Sequence, residues 1–234
     1  RQSSQVTPEK LEKDPDNRLV SRGPRFRLEG EIVRDAALAV SGALVNKIGG
    51  PSVRPYMPAG VWDETSKYGN LRNYQHDKND GLYRRSMYTI WKRTAAPPTM
   101  LLFDAPNRET CTVKRSRTNT PLQALSLLNE VTFVEAARKL AGRMISEGGQ
   151  TAEQRLAYGF RLALARNPSN SEMQVLLSGL DADMQRFASG PNDASGLLAF
   201  GDSKPAAEIP PTELAAYTLT ANVILNLDEF VTRE

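Results

Sequence analysis

Cysteine and histidine are almost absent from this 234-residue chain, which contains only Cys111 and His76. A single cysteine cannot form an internal disulfide, and covalent haem attachment through a Cys-x-x-Cys-His motif requires two cysteines. A site built from several histidines is excluded as well, because zinc and related metals need more than one such ligand. We therefore expect this chain to hold no metal and no cofactor of its own.

Long hydrophobic runs are also missing. The apolar stretches fall far short of the roughly 20 residues that cross a bilayer, so we predict no membrane span. The P-loop, Rossmann, zinc and nucleophile-elbow signatures are absent, and no complete catalytic motif replaces them. The chain begins at Arg1 without Met or a basic and apolar leader, which predicts a mature form or a fragment with any export signal upstream.

What is present is an ordinary globular composition with an uneven charge. Hydrophobic residues make up 40% and charged residues 24%, and the formal net charge is +3. The excess of Lys and Arg lies in residues 1–150, whereas Asp and Glu exceed them in residues 151–234. Two interpretations stay open: the opposed charges dock the two parts on one another, or the basic part faces an acidic polymer. Nucleic acid is disfavoured because no basic stripe with interleaved aromatics accompanies the charge.

Apolar spacing predicts a mainly α fold, an irregular multi-helix single domain over residues 1–234. A stripe through Ile32, Ala36, Val40 and Leu44, with Val33 and Ala37, predicts a helix over residues 29–45. Further helices are predicted at residues 83–94, after Thr120 as far as Gly148, from a capping box at Thr151 to Gln154, over residues 172–187, and at the end of the chain. Residues 46–81, rich in Gly, Pro and aromatics, predict a long ordered loop, and residues 188–211 predict a linker before the terminal helix.

The segment from Asp104 to Asn129 concentrates unusual chemistry. It contains the single cysteine and four cations, and its Thr120-Pro121-Leu122-Gln123 string predicts a capping box that starts a helix. Cys111 is a candidate nucleophile, because nearby cations lower a thiol pKa. Its only possible histidine base is His76, and the spacing fits no known motif, so a buried structural thiol is favoured.

Arginines supply the candidate binding residues, because their guanidinium groups bind carboxylate, phosphate or sulfate in a bidentate manner. Internal ion pairs are the competing explanation, with Asp35, Asp104, Glu109 and Glu135 as available partners. This explanation is favoured for all except Arg115 and Arg117, for which the two stay equal. The anion-binding candidates are Arg84, Arg85, Arg108, Arg115, Arg117 and Asn119.

Many short strings in this order resemble the C-terminal planctomycete-specific domain, a domain of unknown function, of exported proteins that carry an N-terminal c-type haem domain. The strings include Arg22-Gly23-Pro24-Arg25-Phe26, Tyr83-Arg84-Arg85-Ser86, Trp91-Lys92-Arg93, Phe103-Asp104-Ala105-Pro106, Thr118-Asn119-Thr120-Pro121-Leu122-Gln123-Ala124 and Leu225-Asn226-Leu227-Asp228-Glu229. The resemblance implies a c-type haem in an upstream domain, upstream haem-bearing and companion domains as partners, and a periplasmic or cell-surface location.

Two functions follow as expectations. The first is a helical scaffold or interaction module that packs against the haem-bearing portion and presents a basic anion-binding groove. The second is the substrate-binding part of an enzyme that acts on acidic, sulfated or carboxylated polysaccharides. Full internal pairing of the arginines would favour the scaffold, and a cleft lined by free arginines would favour the enzyme.

Overall fold

The fold is mainly α in a computed structural model that describes residues 4–62, 74–92 and 94–233. In chain order the helices are α1 (Pro8–Lys13), α2 (Gly30–Val40), α3 (Pro98–Leu102), α4 (Pro121–Asn129), α5 (Val131–Glu147), α6 (Ala152–Leu164), α7 (Asn170–Ser189), α8 (Pro191–Leu198), α9 (Pro211–Leu225) and α10 (Asp228–Val231). Two short strands, β1 (Phe26–Arg27) and β2 (Thr232–Arg233), pair antiparallel. The predicted fold class is confirmed. Among the described helices, none has the length and apolarity that a bilayer crossing requires.

Helix α9 lies at the centre of the main core. It packs chiefly against α5 and also against α7 and α8. Small side chains allow this close packing, since Ala215, Ala216 and Ala221 of α9 are fully buried and face equally buried Ala137 and larger residues such as Phe133 within one apolar cluster. Burial of alanines brings helix axes close together, so α9 holds the surrounding helices in a fixed arrangement.

Helix starts follow the sequence signals closely. The Thr151 hydroxyl accepts a hydrogen bond from the Gln154 amide and the Gln154 side chain returns one, which confirms the predicted capping box. Thr120 caps α4 by accepting from the Gln123 amide. The second half of that predicted box is wrong, because the Gln123 side chain donates to Leu102 and Thr118 instead.

The predicted helix at residues 83–94 is wrong, because the described residues of this range, 83–92 and 94, form no α-helix. Short 3₁₀ turns occupy Asn79–Tyr83 and Ser86–Tyr88, and isolated bridges join Val45 to Arg84 and Val53 to Thr89. The carbonyls that a helix would use are taken by other partners, since Arg34 donates to the carbonyls of Leu82 and Arg84. Tertiary hydrogen bonds therefore override the local helical pattern.

The interior face of α2 agrees with the predicted stripe in part. Val33 and Ala37 are buried as predicted, whereas Ile32 is exposed and the face is completed by buried Arg34 and Leu38. A periodicity count cannot place a charged residue on the buried face, because it treats arginine as polar, yet both terminal nitrogens of Arg34 donate to backbone carbonyls inside the protein.

The two long regions that were predicted to be irregular contain helical residues and tertiary hydrogen bonds. Helix α8 and the last residues of α7 lie within residues 188–211, so only residues 199–210 connect α8 to α9 without regular structure. The predicted loop at residues 46–81 is ordered by side-chain contacts on both sides, with Tyr74 donating to the Pro55 carbonyl and Arg54 donating through its amide to Asp77. Residues 63–73 of that loop lie outside the described part of the chain.

Candidate functional site

The six anion-binding candidates lie in four different surroundings. Arg84 is buried, and its guanidinium donates to the carbonyls of Lys47, Gly49 and Pro51 and lies 3.9 Å from the centre of the Tyr88 ring. Three carbonyl acceptors in one turn of chain use the donors of this side chain, so Arg84 closes the 47–51 turn onto the body of the protein.

Arg85 and Arg115 contact acidic residues in α2 or directly before it. Arg85 Nε lies 3.7 Å from a carboxylate oxygen of Asp35, a residue that also accepts from the Ser86 amide at 2.7 Å. Arg115 bonds Glu31 at 2.8 Å and Glu29 at 3.0 Å, and the Glu31 hydrogen bond raises the pKa of Arg115. In both cases a carboxylate compensates the positive charge of the arginine.

The surroundings of Arg108, Arg117 and Asn119 are aromatic rings or solvent. The Arg108 guanidinium is 4.3 Å from the centre of the Trp91 ring, and that of Arg117 is 4.7 Å from the centre of the Phe26 ring. Asn119 is exposed. Arg115 and Arg117 together line a cavity of only about 10 Å³, which has space for one water molecule and not for an anion with several atoms. The six residues are therefore not gathered around a common ligand-sized cleft.

Cys111 is exposed, which corrects the expected buried thiol. The physical reason is its position in an irregular segment, residues 105–120, that runs over the surface between α3 and α4. Its neighbours Thr110 and Thr112 are exposed too. The predicted histidine base, His76, instead contacts Asp202, with 3.3 Å between its Nε2 and a carboxylate oxygen.

The segment is held at its ends by a joint built on Asp104. The Thr118 amide and hydroxyl donate to the Asp104 carboxylate at 2.7 Å and 2.9 Å. Gln123, which is fully buried, donates to Thr118 and to the Leu102 carbonyl. These bonds fix the end of α3 against the start of α4, so the most unusual strings of the sequence form a structural joint.

A buried polar centre around Glu135 was not predicted. Glu135 is 1% exposed and accepts from the Tyr83 hydroxyl at 2.9 Å, the Tyr56 hydroxyl at 3.1 Å and the Ser203 amide at 2.6 Å. Arg138, one helical turn later, lies 3.4 Å from the same carboxylate and donates to the carbonyls of residues 198, 200 and 203. Burial and the Glu135 hydrogen bond raise the pKa of Tyr83 to about 12.

This centre ties three distant parts of the chain together. The Glu135 partners come from the 46–81 loop, the turn at residue 83 and the connection after α8. The one signal in the sequence is a Glu and an Arg spaced by three within an apolar helix pattern, a spacing that equally describes a surface ion pair. The described residues contain no group of three His, Cys, Asp or Glu side chains that could hold a metal ion.

An apolar surface on α4 is the clearest exposed feature. Leu122, Leu125 and Leu128 are 61%, 55% and 41% exposed and follow one another at a spacing of three on the helix. We call these three residues the α4 face. The irregular segment before it contributes Val113, which is fully exposed, and the exposed cation Lys114.

Comparison with protein-family models decides the family. The model of the PSD1 family, described as a protein of unknown function (DUF1553), matches residues 1–180. The chain belongs to the PSD1 family. No curated protein and no solved structure matches it.

The PSD1 match contains the Asp104 joint, the α4 face and Glu135, and it ends inside α7. Tyr56 and Tyr83, whose hydroxyls donate to Glu135, lie within it, whereas Ser203, which donates through its backbone amide, lies beyond it. Helix α9, the centre of the core, also lies beyond the matched residues.

Proposed function

We propose that this PSD1 domain is a non-catalytic interaction module that docks against a haem-bearing domain of the same exported protein, through the α4 face. The resemblance supplies the haem-bearing partner and the periplasmic or cell-surface location. The observation that carries the proposal is the exposure of three leucines on one helix beside a cationic segment. Soluble proteins rarely leave contiguous apolar surface uncovered, and such patches mark interaction sites.

The surroundings of the candidate arginines support an architectural role. Arg84 and Arg115, the two with the most donors engaged, bond carbonyls and carboxylates of the chain itself. Arg108 and Arg117 lie over aromatic rings, which compensates the charge more weakly. These side chains hold loops in place, and the segment that contains Arg115 leads directly into α4.

The alternative, binding of acidic polysaccharides by the same arginines, has less support. It needs guanidinium groups that converge on a cleft with donors to spare. Arg84 is buried and Arg115 bonds two glutamates, so a sulfated or carboxylated sugar would have to displace partners already in place. This alternative stays a prediction from the sequence.

The proposal predicts that the chain binds the separately produced haem-bearing portion, and that the α4 face carries the binding. Leu122→Glu and Leu125→Glu place a charge in the apolar contact, so we expect each to weaken binding by about tenfold or more. Calorimetry, with co-elution followed by haem absorbance, measures the complex. Both leucines are exposed, so neither substitution disturbs the core.

The matched control is Ile48→Glu, since Ile48 is 87% exposed and lies in the turn after α2. It makes the same kind of change away from the α4 face and should leave binding unaltered. Equal binding by the wild type and both leucine variants would refute docking through the α4 face. Absence of any binding by the wild-type chain would refute the haem-bearing portion as the partner.

A further inference from the structure

The irregular segment of residues 105–120 is a surface loop that is closed at its base and unattached at its tip. The bonds from Thr118 to the Asp104 carboxylate close the base. Within the described part of the chain, no main-chain amide or carbonyl of residues 106–119 bonds another main-chain group. Residues 110–114, which we call the tip, also make no side-chain hydrogen bond, ion pair or ring contact with the described residues. Such a backbone rearranges locally at little cost in free energy.

The tip is accessible to a large partner. Residues 107–114 are all exposed, and the relative exposure of Val113 reaches 104%. An endoprotease binds its substrate as an extended segment and makes main-chain hydrogen bonds to it, much as a strand adds to the edge of a sheet. Exposed loop tips are preferred sites of cleavage. The tip can extend into such a cleft because its main chain has no internal hydrogen bonds to the described residues that must first be broken.

The cation of the loop that is most available to a protease is Lys114. Arg115 bonds two glutamates, and Arg108 and Arg117 lie over aromatic rings. A trypsin-like protease inserts the side chain before the cleaved bond into a pocket with a carboxylate at its base. Lys114 enters such a pocket without leaving any partner among the described residues, whereas each arginine must first leave its own contact.

We propose that the tip is the recognition site of an endoprotease that cleaves after basic residues, that the cut falls between Lys114 and Arg115, and that the cleaved chain stays folded. Hydrolysis breaks the bond between the Lys114 carbonyl carbon and the Arg115 nitrogen. Water supplies the hydroxyl of the new Lys114 carboxyl group and the proton of the new Arg115 amino group. This inference is independent of docking through the α4 face.

Contacts that the cut leaves intact join the two products, residues 1–114 and residues 115–234. The first product contains β1 and the second contains β2, and these two strands pair with each other. Val33 and Ala37 of α2 are fully buried in the apolar cluster that also contains α5 and α9. The Asp104 joint spans the cut as well. The fragments are therefore held together without the covalent link.

Brief digestion of the full chain with trypsin tests the site, because trypsin cleaves after Lys and Arg. We expect one early cut that yields residues 1–114 and 115–234, identified by intact mass and N-terminal sequencing. Size-exclusion chromatography should elute both fragments together at the volume of the uncut chain. Lys114→Gln removes the side chain that the protease pocket binds, so the early cut should become about tenfold slower or more.

Two further variants separate the tip from other exposed sites. Lys78→Gln is the matched control, since Lys78 is exposed but its carbonyl accepts a hydrogen bond from the Gly81 amide. This variant should be cut at the wild-type rate. Glu31→Gln weakens the ion pair that engages Arg115. A second early cut, after Arg115, should then appear beside the cut after Lys114.

The proposal is supported if Lys114→Gln, but not Lys78→Gln, suppresses the early cut and the wild-type fragments stay together. An early cut at any other bond of the wild-type chain would overturn it, as would an unchanged rate in Lys114→Gln. Separation or aggregation of the fragments would overturn the folded state of the cleaved chain. Cleavage of Glu31→Gln after Lys114 alone would contradict the ion pair as the reason why Arg115 is not used.

Discussion

Several loops of this protein meet at the buried carboxylate of Glu135 and not at an apolar cluster. It is satisfied by two tyrosine hydroxyls, a backbone amide and Arg138. A buried carboxylate is tolerated only when such donors surround it, and removal of one partner leaves an uncompensated charge. The position of Gly201 follows from this centre, because the chain passes very close to the carboxylate there.

Substitution of Gly201 tests that close approach. A Cβ atom at Gly201 would lie 2.5 Å from Cδ of Glu135, and the residue has φ +79°. Gly49, with φ +78°, has no atom within 4 Å of its Cβ site and is the matched control. Gly49→Ala should cost about 1–2 kcal/mol for the left-handed backbone alone. Gly201→Ala should cost about 1–3 kcal/mol more, because the methyl group also displaces Glu135.

Urea unfolding of both glycine variants measures this difference in the free energy of unfolding. Equal destabilisation of the two variants would mean that Glu135 moves aside at no cost in free energy. Such a result would refute the tight packing around Glu135. Retained far-UV circular dichroism in both variants would show that the comparison concerns stability and not misfolding.

At the scale of elements, Arg166 joins three helices at one point. Its guanidinium lies 2.7 Å from carboxylate oxygens of both Glu172, in the first turn of α7, and Glu229, on α10. Arg166 follows the end of α6, so it fixes the α6–α7 turn against the last helix. The hydrogen bond from Arg166 holds the pKa of Glu172 at about 2, below its ordinary value of 4.5, and lowers the pKa of Glu229.

Acid should therefore weaken the protein through this junction. A carboxylate whose pKa is lower in the folded state stabilises the fold above its unfolded pKa, and this contribution is lost as the pH falls through its folded pKa. We expect the free energy of unfolding to decrease from about pH 4.5 to about pH 2, and Glu172→Gln to make that decrease shallower. Urea titrations across this pH range measure the slope.

Arg166→Met provides the complementary variant, because it removes the shared partner of both glutamates. Its slope should also be shallower than that of the wild type, and the double variant should add little to either single one. A wild-type slope retained in both single variants would contradict the assignment of acid sensitivity to this junction.

Local signals predicted the helix starts, because caps and first-turn prolines act through neighbouring residues. Thr120 and Thr151 each cap a helix as predicted for this reason. The turn at residues 79–90 was missed because its backbone bonds Val45, Val53 and Arg34, which are distant in sequence. The surroundings of Arg84 and Arg115 were missed in the same way, since an arginine in the sequence does not indicate which carbonyl or carboxylate it will meet.

At the scale of the whole molecule, the extent of the family match and the extent of the folded core differ. The PSD1 match ends at residue 180, in the middle of α7. Helix α9 lies beyond it and supplies buried residues that pack on α5, α7 and α8. A domain boundary drawn at the end of the match would cut through the hydrophobic core.

A chain shortened to residues 1–180 should therefore fail to fold cooperatively. Loss of α9 exposes the apolar side chains of α5 that it covers, including Phe133 and Leu140. We expect a broad, noncooperative thermal transition and collapsed amide dispersion in nuclear magnetic resonance spectra, in contrast to the full chain. Addition of a peptide that corresponds to residues 205–233 should partly restore the dispersion. A sharp transition in the shortened chain alone would show that α9 is dispensable.

The exposed thiol of Cys111 has a practical consequence. It is the single cysteine of the sequence and lies in the segment that precedes the α4 face, so a nitroxide or fluorophore reacts at one position without any prior substitution. In the complex that we propose, such a label lies beside the α4 face, and paramagnetic broadening or quenching by the haem iron would report its distance from the label. Cys111 thus gives the wild-type protein a single labelling site for spectroscopic distance measurements.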